Sequence, residues 1–250
     1  QADILIGNRS DNDALLLDVI PLSLGLETYG GLAERIIDRN STIPIARAQE
    51  FTTARDGQTG LVVHVVQGER ERVADCRSLA TFELKGIPPM VAGAARIEVT
   101  FRVDADGILE VSAVEQQTGA RSEVVVKPAF GLDELDITDM LKASYEFAAE
   151  DMVARKLAEA GVEAEALLEG LRAALAQDGD LLDSDEAQML QEEMARLEQV
   201  LLQTDVDSLR EHTEKLGRAS ETFAARRMDR SIQSALRGIS VGQLDAESAE

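Results

Sequence analysis

The sequence predicts an antiparallel β-sandwich of about eight strands followed by an α-helical bundle. Over residues 18–127 apolar and polar side chains tend to alternate, which is the two-residue period of a strand with one buried face. After residue 131 the apolar residues recur at helical spacing instead. All five prolines lie before residue 131, and because proline breaks helix interiors, the remaining residues can form uninterrupted helices.

The clearest strand pair lies near residue 100. Residues 96–103 alternate strictly, and Leu109, Val111 and Ala113 resume the alternation after the segment 104–107, which predicts a β-hairpin. The turn segment also begins like a calcium loop, but the other ligands of that pattern are missing, so we predict a turn and no metal site. Further strands are predicted at residues 31–37, 43–54, 60–67, 78–84 and 122–127. Short strands joined by tight turns are typical of a sandwich.

The second half of the chain predicts four helices. A long helix over about residues 133–176 is followed by three shorter ones. Asp183 with Glu186 three residues later is typical of a capping box, which opens the first of the three. The apolar residues of the last predicted helix are Met228, Ile232 and Leu236. The tail at 240–250 is small, polar and acidic, so we predict that it is frayed.

Composition excludes several classes of partner. The chain has 47 acidic and 25 basic residues and a formal net charge of −22. Because like charges repel, we expect no nucleic-acid partner and no membrane partner. No apolar stretch has the length of a membrane span, and the single cysteine, Cys76, excludes an internal disulfide, which favours a reducing, cytoplasmic location. The chain begins at Gln1 rather than methionine, so we expect a fragment of a longer protein.

Residues with catalytic potential are few. His64 lies within an apolar run and His212 has no second ligand one helical turn away, so we interpret both as structural. No phosphate-binding loop, nucleophile elbow or zinc-protease motif occurs. We therefore predict no catalytic residue, no metal and no enzymatic activity in this chain. Binding remains, although a purely structural acidic module and a hydrolase with converging carboxylates stay open as alternatives.

Two features of the first 60 residues favour binding. The apolar triplet Leu15-Leu16-Leu17 stands in a polar context, which is typical either of a first core strand or of a segment that docks on another domain. The segments 22–31 and 51–58 both end strands in glycine-containing loops. We expect these loops to meet at one edge of the sandwich.

Several motifs together resemble the seventy-kilodalton heat-shock chaperone family. In the family's order and spacing they are residues 15–19, 21–28, 30–31, 64–70, 103–109 and 130–132. The likeness covers the chain from about Leu15 to Gly238. Three segments favour the specialised bacterial member that serves iron–sulfur cluster assembly, namely residues 19–21, 76–79 and 223–229. A general protein-folding chaperone of the same family is the alternative.

The resemblance implies a peptide-binding sandwich at residues 19–130 and a helical lid at residues 131–239. Residues 1–18 would hold the end of a preceding ATPase domain and an interdomain linker formed by Leu15, Leu16, Leu17 and Asp18. ATP and Mg²⁺ would bind in that preceding domain, with no cofactor in this chain. The implied partners are the ATPase domain, a J-domain co-chaperone and the iron–sulfur scaffold protein, bound through a Leu-Pro-Pro-Val-Lys segment in the bacterial cytoplasm.

The resemblance also implies a set of peptide-binding residues. They are Leu26, Thr28, Tyr29, Phe51, Thr53, Ala54, Gln58, Leu61 and Val63. Leu61 would form the floor of a central pocket, and Tyr29 and Ala54 an arch over the peptide. By themselves Phe51, Leu61 and Val63 are more typical of ordinary sandwich core, because alternation does not distinguish a groove from a core.

Two positions depart from the family pattern. The arginine with which the family latches its lid falls on Ala92, and the lid histidine falls on Glu169. Asp56 would then face Glu169 without a cation between the two carboxylates, and like charges repel. We therefore predict a lid that is held less tightly than in the general chaperone.

Overall fold

A computed structural model describes residues 18–129 and 131–238, without the side chains of residues 235–238. The predicted linker leucines, Leu15 to Leu17, and the predicted tail at 240–250 lie outside the described residues. The chain divides into two compact units, residues 1–154 and residues 155–250. Each unit buries its own cluster of apolar side chains.

The described part of the first unit contains eight strands. They are β1 (Leu24–Thr28), β2 (Leu32–Ile37), β3 (Ile45–Phe51), β4 (Gly60–Gln67), β5 (Arg77–Lys85), β6 (Ile97–Val103), β7 (Leu109–Glu115) and β8 (Arg121–Val126). They form two four-stranded sheets, in the orders β2-β1-β4-β5 and β3-β6-β7-β8. Neighbouring strands are antiparallel throughout both sheets.

The core of the first unit is shared by the two sheets. In β6, Ile97, Val99 and Phe101 are buried whereas Glu98 and Arg102 are exposed, so the alternation predicted for this segment is confirmed. Inward side chains of β1, β4 and β5 belong to the same buried cluster. Burial of one face of each sheet against the other therefore determines which residues point inward.

The predicted hairpin of β6 and β7 is confirmed. Ile97 to Val103 pair with Glu115 to Leu109 in antiparallel register. At the turn, Asp104 Oδ1 accepts hydrogen bonds from the backbone N–H groups of Asp106 and Ile108, both at 2.9 Å. The Asp104 carboxylate thus stabilises its own turn, as aspartate commonly does.

One position in β1 requires glycine because two strands approach closely. The pairing of β1 with β2 shifts register between Leu24 and Gly25. A Cβ atom on Gly25 would lie 2.1 Å from the carbonyl oxygen of Glu34, well inside van der Waals contact. Only a residue without a side chain allows the two strands to pair at this irregularity.

Four α-helices follow the strands. They are α1 (Glu134–Glu146), α2 (Ala148–Asp178), α3 (Ser184–Leu201) and α4 (Val206–Gly238). The capping box predicted at the start of α3 is confirmed, since Asp183 Oδ1 accepts from the backbone N–H of Glu186 and the Glu186 carboxylate accepts from the N–H of Asp183. Within the described ranges 18–129 and 131–238, no helix combines the length and the apolar character that crossing a membrane requires.

The predicted fold class is corrected in its helical half. The sequence predicts one helix over residues 133–176, but α1 ends at Glu146 and α2 begins at Ala148. It also predicts a separate last helix, whereas α4 is continuous to Gly238. Residues 134–154 belong to the first compact unit, so the helices do not form one bundle apart from the sheets. A sandwich followed by a helical lid is therefore replaced by a β-rich unit that includes α1 and a second, helical unit.

A buried ion pair explains why the first unit extends into the helices. Arg70, which follows β4, donates two hydrogen bonds to the carboxylate of Asp151 in α2, at 2.7 and 2.9 Å. Its guanidinium also lies 4.6 Å from the centre of the Phe147 ring. Because either charge would be costly to bury alone, the pair holds the start of α2 against the sheets.

The second unit has a core of mainly leucine and alanine side chains from α2, α3 and α4, with Met194, Val200 and Phe223. The predicted inner face of α3 is confirmed, because Leu190, Met194 and Leu197 are buried. In α4, by contrast, Met228 and Ile232 are 66% and 47% exposed. These two residues of the apolar stripe predicted for the last helix therefore do not pack into this core.

Candidate functional site

The first unit contains a groove of about 1250 Å³ at one end of its two sheets. The turn after β1, the end of β3 with the loop that follows, β4 and the residues before β6 line it. The nine residues predicted to bind peptide all lie in this lining, namely Leu26, Thr28, Tyr29, Phe51, Thr53, Ala54, Gln58, Leu61 and Val63. The fold thus brings together lining residues from Leu26 to Val99, about 70 positions apart in sequence.

The floor of the groove is continuous with the core between the sheets. Leu26 and Val63 are 4% and 3% exposed and belong to the buried cluster. Phe51 and Leu61 are half-buried and pack against the same cluster. These residues are therefore core on one side and groove lining on the other, which is why the alternation of their strands could not distinguish the two.

Exposed side chains at the end of β1 and after β3 form the rim. Tyr29 is 45% exposed, and Ala54 is exposed as well. Gly30 and Gly31 follow Tyr29 with φ angles of 87° and 71°, a left-handed conformation that glycine adopts without strain. The hydroxyl of Thr28 donates to the carbonyl oxygen of Leu32 at 3.2 Å and closes this turn.

Gln58 supports the loop that lines the groove. Its Oε1 accepts from the backbone N–H of Ala54 at 3.1 Å, and its Nε2 donates to the carbonyl oxygen of Gly60 at 2.7 Å. Both ends of the amide therefore make hydrogen bonds to the backbone of the β3–β4 connection, one at Ala54 and one at Gly60, where β4 begins. The structure gives Gln58 a place in the lining and, in addition, a bracing contact that the sequence did not indicate.

A second loop, residues 88–94, is hydrogen-bonded to the loop at residues 52–59. The N–H of Gly57 donates to the carbonyl oxygen of Met90 at 2.8 Å, and the N–H of Gly93 donates to the carbonyl oxygen of Thr53 at 2.9 Å. The side chain of Asp56 adds a third link by accepting from the N–H of Ala92 at 2.7 Å. Sequence reasoning missed this contact because the donor is a backbone group, which no side-chain pattern reports.

The two histidines have hydrogen-bond partners within the fold. His64 bridges β1 and β5, with Nδ1 at 2.7 Å from Glu27 Oε2 and Nε2 at 2.8 Å from Ser78 Oγ. His212 Nδ1 lies 2.8 Å from the carbonyl oxygen of Ser208, one turn earlier in α4. These contacts support the structural interpretation of both side chains.

The charges beside the groove are mixed. Glu27 and Glu50 lie in the lining together with Arg55 and Arg96. Arg96 pairs with Glu50 at 3.2 Å across the exposed surface. Among the residues that the structure describes, no three histidine, cysteine, aspartate or glutamate side chains converge in a way that could hold a metal ion. The groove can therefore offer apolar contact, backbone hydrogen bonds and a few charged side chains.

Asp56 and Glu169, which we expect to face each other, lie in different compact units. Within the first unit Asp56 is already paired with the Ala92 N–H. Repulsion between Asp56 and Glu169 remains a prediction.

Comparison with known proteins places the chain among molecular chaperones. Residues 1–229 match the protein family described as Hsp70 protein. A relative from Neisseria meningitidis serogroup B, named chaperone protein HscA homolog, is 59% identical over 244 residues, which make up 98% of this chain and 39% of the relative. Relatives of the same name from Methylobacillus flagellatus and Shewanella loihica are 60% and 59% identical, again over 98% of this chain and 40% and 39% of the relatives. The chain spans about two fifths of the length of these curated relatives.

The family match corrects one prediction. The sequence predicts no enzymatic activity in this chain because local phosphate-binding and nucleophile motifs are absent. The resemblance implies ATP hydrolysis for members of this family. The match is a single one over residues 1–229, and it does not separate a catalytic part from a non-catalytic part. A catalytic site is assembled from residues far apart in sequence, so a missing local motif does not exclude one. The prediction of a non-enzymatic chain, with ATP and Mg²⁺ confined to a preceding domain, is therefore withdrawn.

Proposed function

Because the chain belongs to the HSP70 family, we propose that its groove binds an extended peptide segment of a client protein. The observation that carries the proposal is the groove itself, with its apolar floor and its two glycine-containing loops. An extended peptide presents alternate side chains and free backbone groups, and a groove at the end of a sheet can accept both. One apolar side chain of the client would fill the space above Leu61.

We propose that the client is the iron–sulfur scaffold protein, bound through a Leu-Pro-Pro-Val-Lys segment. The name of the relatives and the likeness of residues 19–21, 76–79 and 223–229 to the iron–sulfur branch of the family support this choice. The proline and valine suit an apolar floor, and the lysine suits a chain of net charge −22. A general chaperone with a broad set of apolar clients is the alternative, favoured by the apolar floor of the groove.

For the whole protein we propose a cycle in which ATP with Mg²⁺ changes the affinity for the client. The family membership of the chain supports this coupling, which requires two states with different client affinities. A J-domain co-chaperone would be the second partner, and the bacterial cytoplasm the location. The linker leucines, Leu15 to Leu17, would carry the signal between the parts of the protein.

The proposal is tested by titrating the full chain into a fluorescently labelled Leu-Pro-Pro-Val-Lys peptide and following the anisotropy. We expect saturable binding, and at least a tenfold weaker affinity for Leu61→Asp, because a carboxylate in an apolar pocket loses its hydration without gaining a partner. A leucine-rich peptide without proline serves as the second ligand. Tighter binding of the first peptide would support the iron–sulfur client.

Leu79→Asp is the matched control variant. Leu79 is half-buried against the same core, but it does not line the groove. If both variants lose binding equally, the loss reflects the fold and not the groove. Equal affinity of the unaltered chain for both peptides would favour the general chaperone. Absence of saturable binding to either peptide would favour a structural module and overturn the proposal.

A further inference from the structure

We propose that Asp56 is a positioning residue that holds one wall of the groove, and that its hydrogen bond to the Ala92 backbone, not its charge, slows the release of a bound peptide. The wall consists of the loops at residues 52–59 and 88–94, which we call the double loop. The inference rests on the proposed function, because the quantity it concerns is the residence time of a peptide in the groove.

Apart from Met90, which is half-buried against the core, the double loop has little apolar anchorage of its own. Its first half follows β3, which is an edge strand, so no further strand flanks that side of the sheet. Ala54, Arg55 and Asp56 are exposed, and of the loop at 52–59 only Thr53 is buried. Loops with few buried contacts open locally at low cost, so the position of this wall depends on its hydrogen bonds.

Three hydrogen bonds join the two halves of the double loop. Two of them run between backbone groups and are donated by Gly57 and Gly93, whose φ angles are 68° and 80°. The third, from the Ala92 N–H to Asp56 Oδ1, is the one that depends on a side chain. At 2.7 Å it has the length of a well-formed hydrogen bond from a backbone N–H to a side-chain oxygen.

The side chain at position 92 plays no part in this contact. The donor is the backbone N–H, so an alanine at this position serves as well as a longer residue would. Asp56 therefore has a partner inside the first unit, independent of any charge on the helices of the second. Its acceptor function and its charge can be separated by mutation, because asparagine keeps the Oδ1 acceptor and removes the charge.

Two substitutions separate the two roles. In Asp56→Ala the Ala92 N–H loses its acceptor, the double loop loses one of its three links, and we expect peptide release to accelerate about fivefold, the factor that corresponds to one ordinary hydrogen bond. In Asp56→Asn we expect the release rate of the unaltered chain within a factor of about two. If charge repulsion against the helical unit were the cause instead, both variants would release peptide more slowly than the unaltered chain.

The experiment measures the dissociation of a labelled Leu-Pro-Pro-Val-Lys peptide from the full chain after addition of excess unlabelled peptide, together with the association rate. Hydrogen exchange of the Ala92 amide in the free chain is the second measurement, and we expect faster exchange in Asp56→Ala but not in Asp56→Asn. Asp104→Ala is the matched control, because Asp104 also accepts backbone N–H groups in an exposed turn, but its turn contributes no residue to the lining of the groove, whereas the loop that contains Asp56 does. We expect its release rate to equal that of the unaltered chain.

Equal release rates for the unaltered chain and Asp56→Ala, with peptide binding intact, would overturn this inference and leave the proposed function standing. Slower release from Asp56→Asn would assign the effect to charge and overturn it as well. A failure of the unaltered chain to bind peptide would overturn the proposed function, and this inference with it. A change in Asp104→Ala as large as that in Asp56→Ala would show a general loss of stability and overturn the positioning role.

Discussion

At the scale of single residues, Gly25 shows how a close approach restricts the sequence. Its φ lies outside the left-handed region, so the restriction comes from space and not from backbone conformation. The space that a Cβ atom would need is already filled by the carbonyl oxygen of Glu34 in the neighbouring strand. The backbone of β1 would have to move away from β2, and both strands contribute to the core.

We expect Gly25→Ala to lower the free energy of unfolding by about 1–3 kcal/mol, the usual cost of overpacking. Urea denaturation followed by circular dichroism measures the change. Gly161→Ala is the control, because Gly161 lies inside α2 and a Cβ atom added there would meet no neighbouring atom within 4 Å. That variant should instead gain about 0.5–1 kcal/mol from better helix propensity. Equal effects of the two substitutions would contradict the steric explanation.

At the scale of elements, the ion pair between Arg70 and Asp151 joins the sheets to the helices of the first unit. The Asp151 side chain is 6% exposed and that of Arg70 is 12% exposed. The hydrogen bonds from Arg70 hold the pKa of the Asp151 carboxyl below its usual value, although burial acts in the opposite direction. A carboxyl with a lowered pKa in the folded state stabilises the fold above its ordinary pKa, and this stabilisation is lost as the pH falls through the lowered value.

We expect Asp151→Asn to detach residues 134–154 from the sheets, because it removes the two short hydrogen bonds of Arg70 and leaves its charge only the longer pair with Asp75, at 3.6 Å, at a cost of up to about 3 kcal/mol. Hydrogen exchange of the amides in α1 should accelerate at neutral pH. In the unaltered chain the same acceleration should appear only in acid, as the pH falls below the ordinary pKa of an aspartate carboxyl toward the lowered pKa of Asp151. Asp139→Asn removes an exposed pair with Lys142 and should have no effect. Unchanged exchange in Asp151→Asn would show that other contacts hold these helices.

At the scale of the whole molecule, two buried clusters stabilise two compact units. Substitutions far apart, without shared partners, usually add without interaction. A change in one core should therefore leave the other unit unaffected. The helix α2 is the element whose residues belong to both units.

We expect Leu197→Ala to destabilise the second unit by about 2–5 kcal/mol, because it opens a cavity at a fully buried position. Protection of the α3 and α4 amides from hydrogen exchange should fall by the corresponding factor. Protection of β6 and β7, and the affinity for the labelled peptide, should stay unchanged. Val111→Ala in the first unit is the reciprocal control, since Val111 is fully buried in the other core. Loss of protection in both units from either substitution would contradict their independence.

Local pattern sufficed for the features that depend on neighbours in sequence. Residues 97–103 alternate because one face of their strand is buried, and this pattern is visible in the sequence. The capping box of α3 is visible as well, because Asp183 and its partner Glu186 lie within one helical turn. The resemblance of spaced motifs also identified nine residues that line the groove. The end of a helix at Phe147 was not predicted because no proline or glycine marks it. The exposure of Met228 was not predicted because helical spacing does not show whether another element packs against the apolar face.

By itself, therefore, the sequence determined the periods of its strands and helices, the hairpin at Asp104 and the acidity of its surface, because each is a property of neighbouring residues or of composition. Only the tertiary structure decided that Leu61 lies in a groove as well as against the core, that Arg70 pairs with Asp151, and that Asp56 accepts the Ala92 N–H. The two hydrogen-bonded contacts join residues that are 81 and 36 positions apart. Their geometry depends on how the loops of the two sheets and the start of α2 pack together, and no local period encodes that packing.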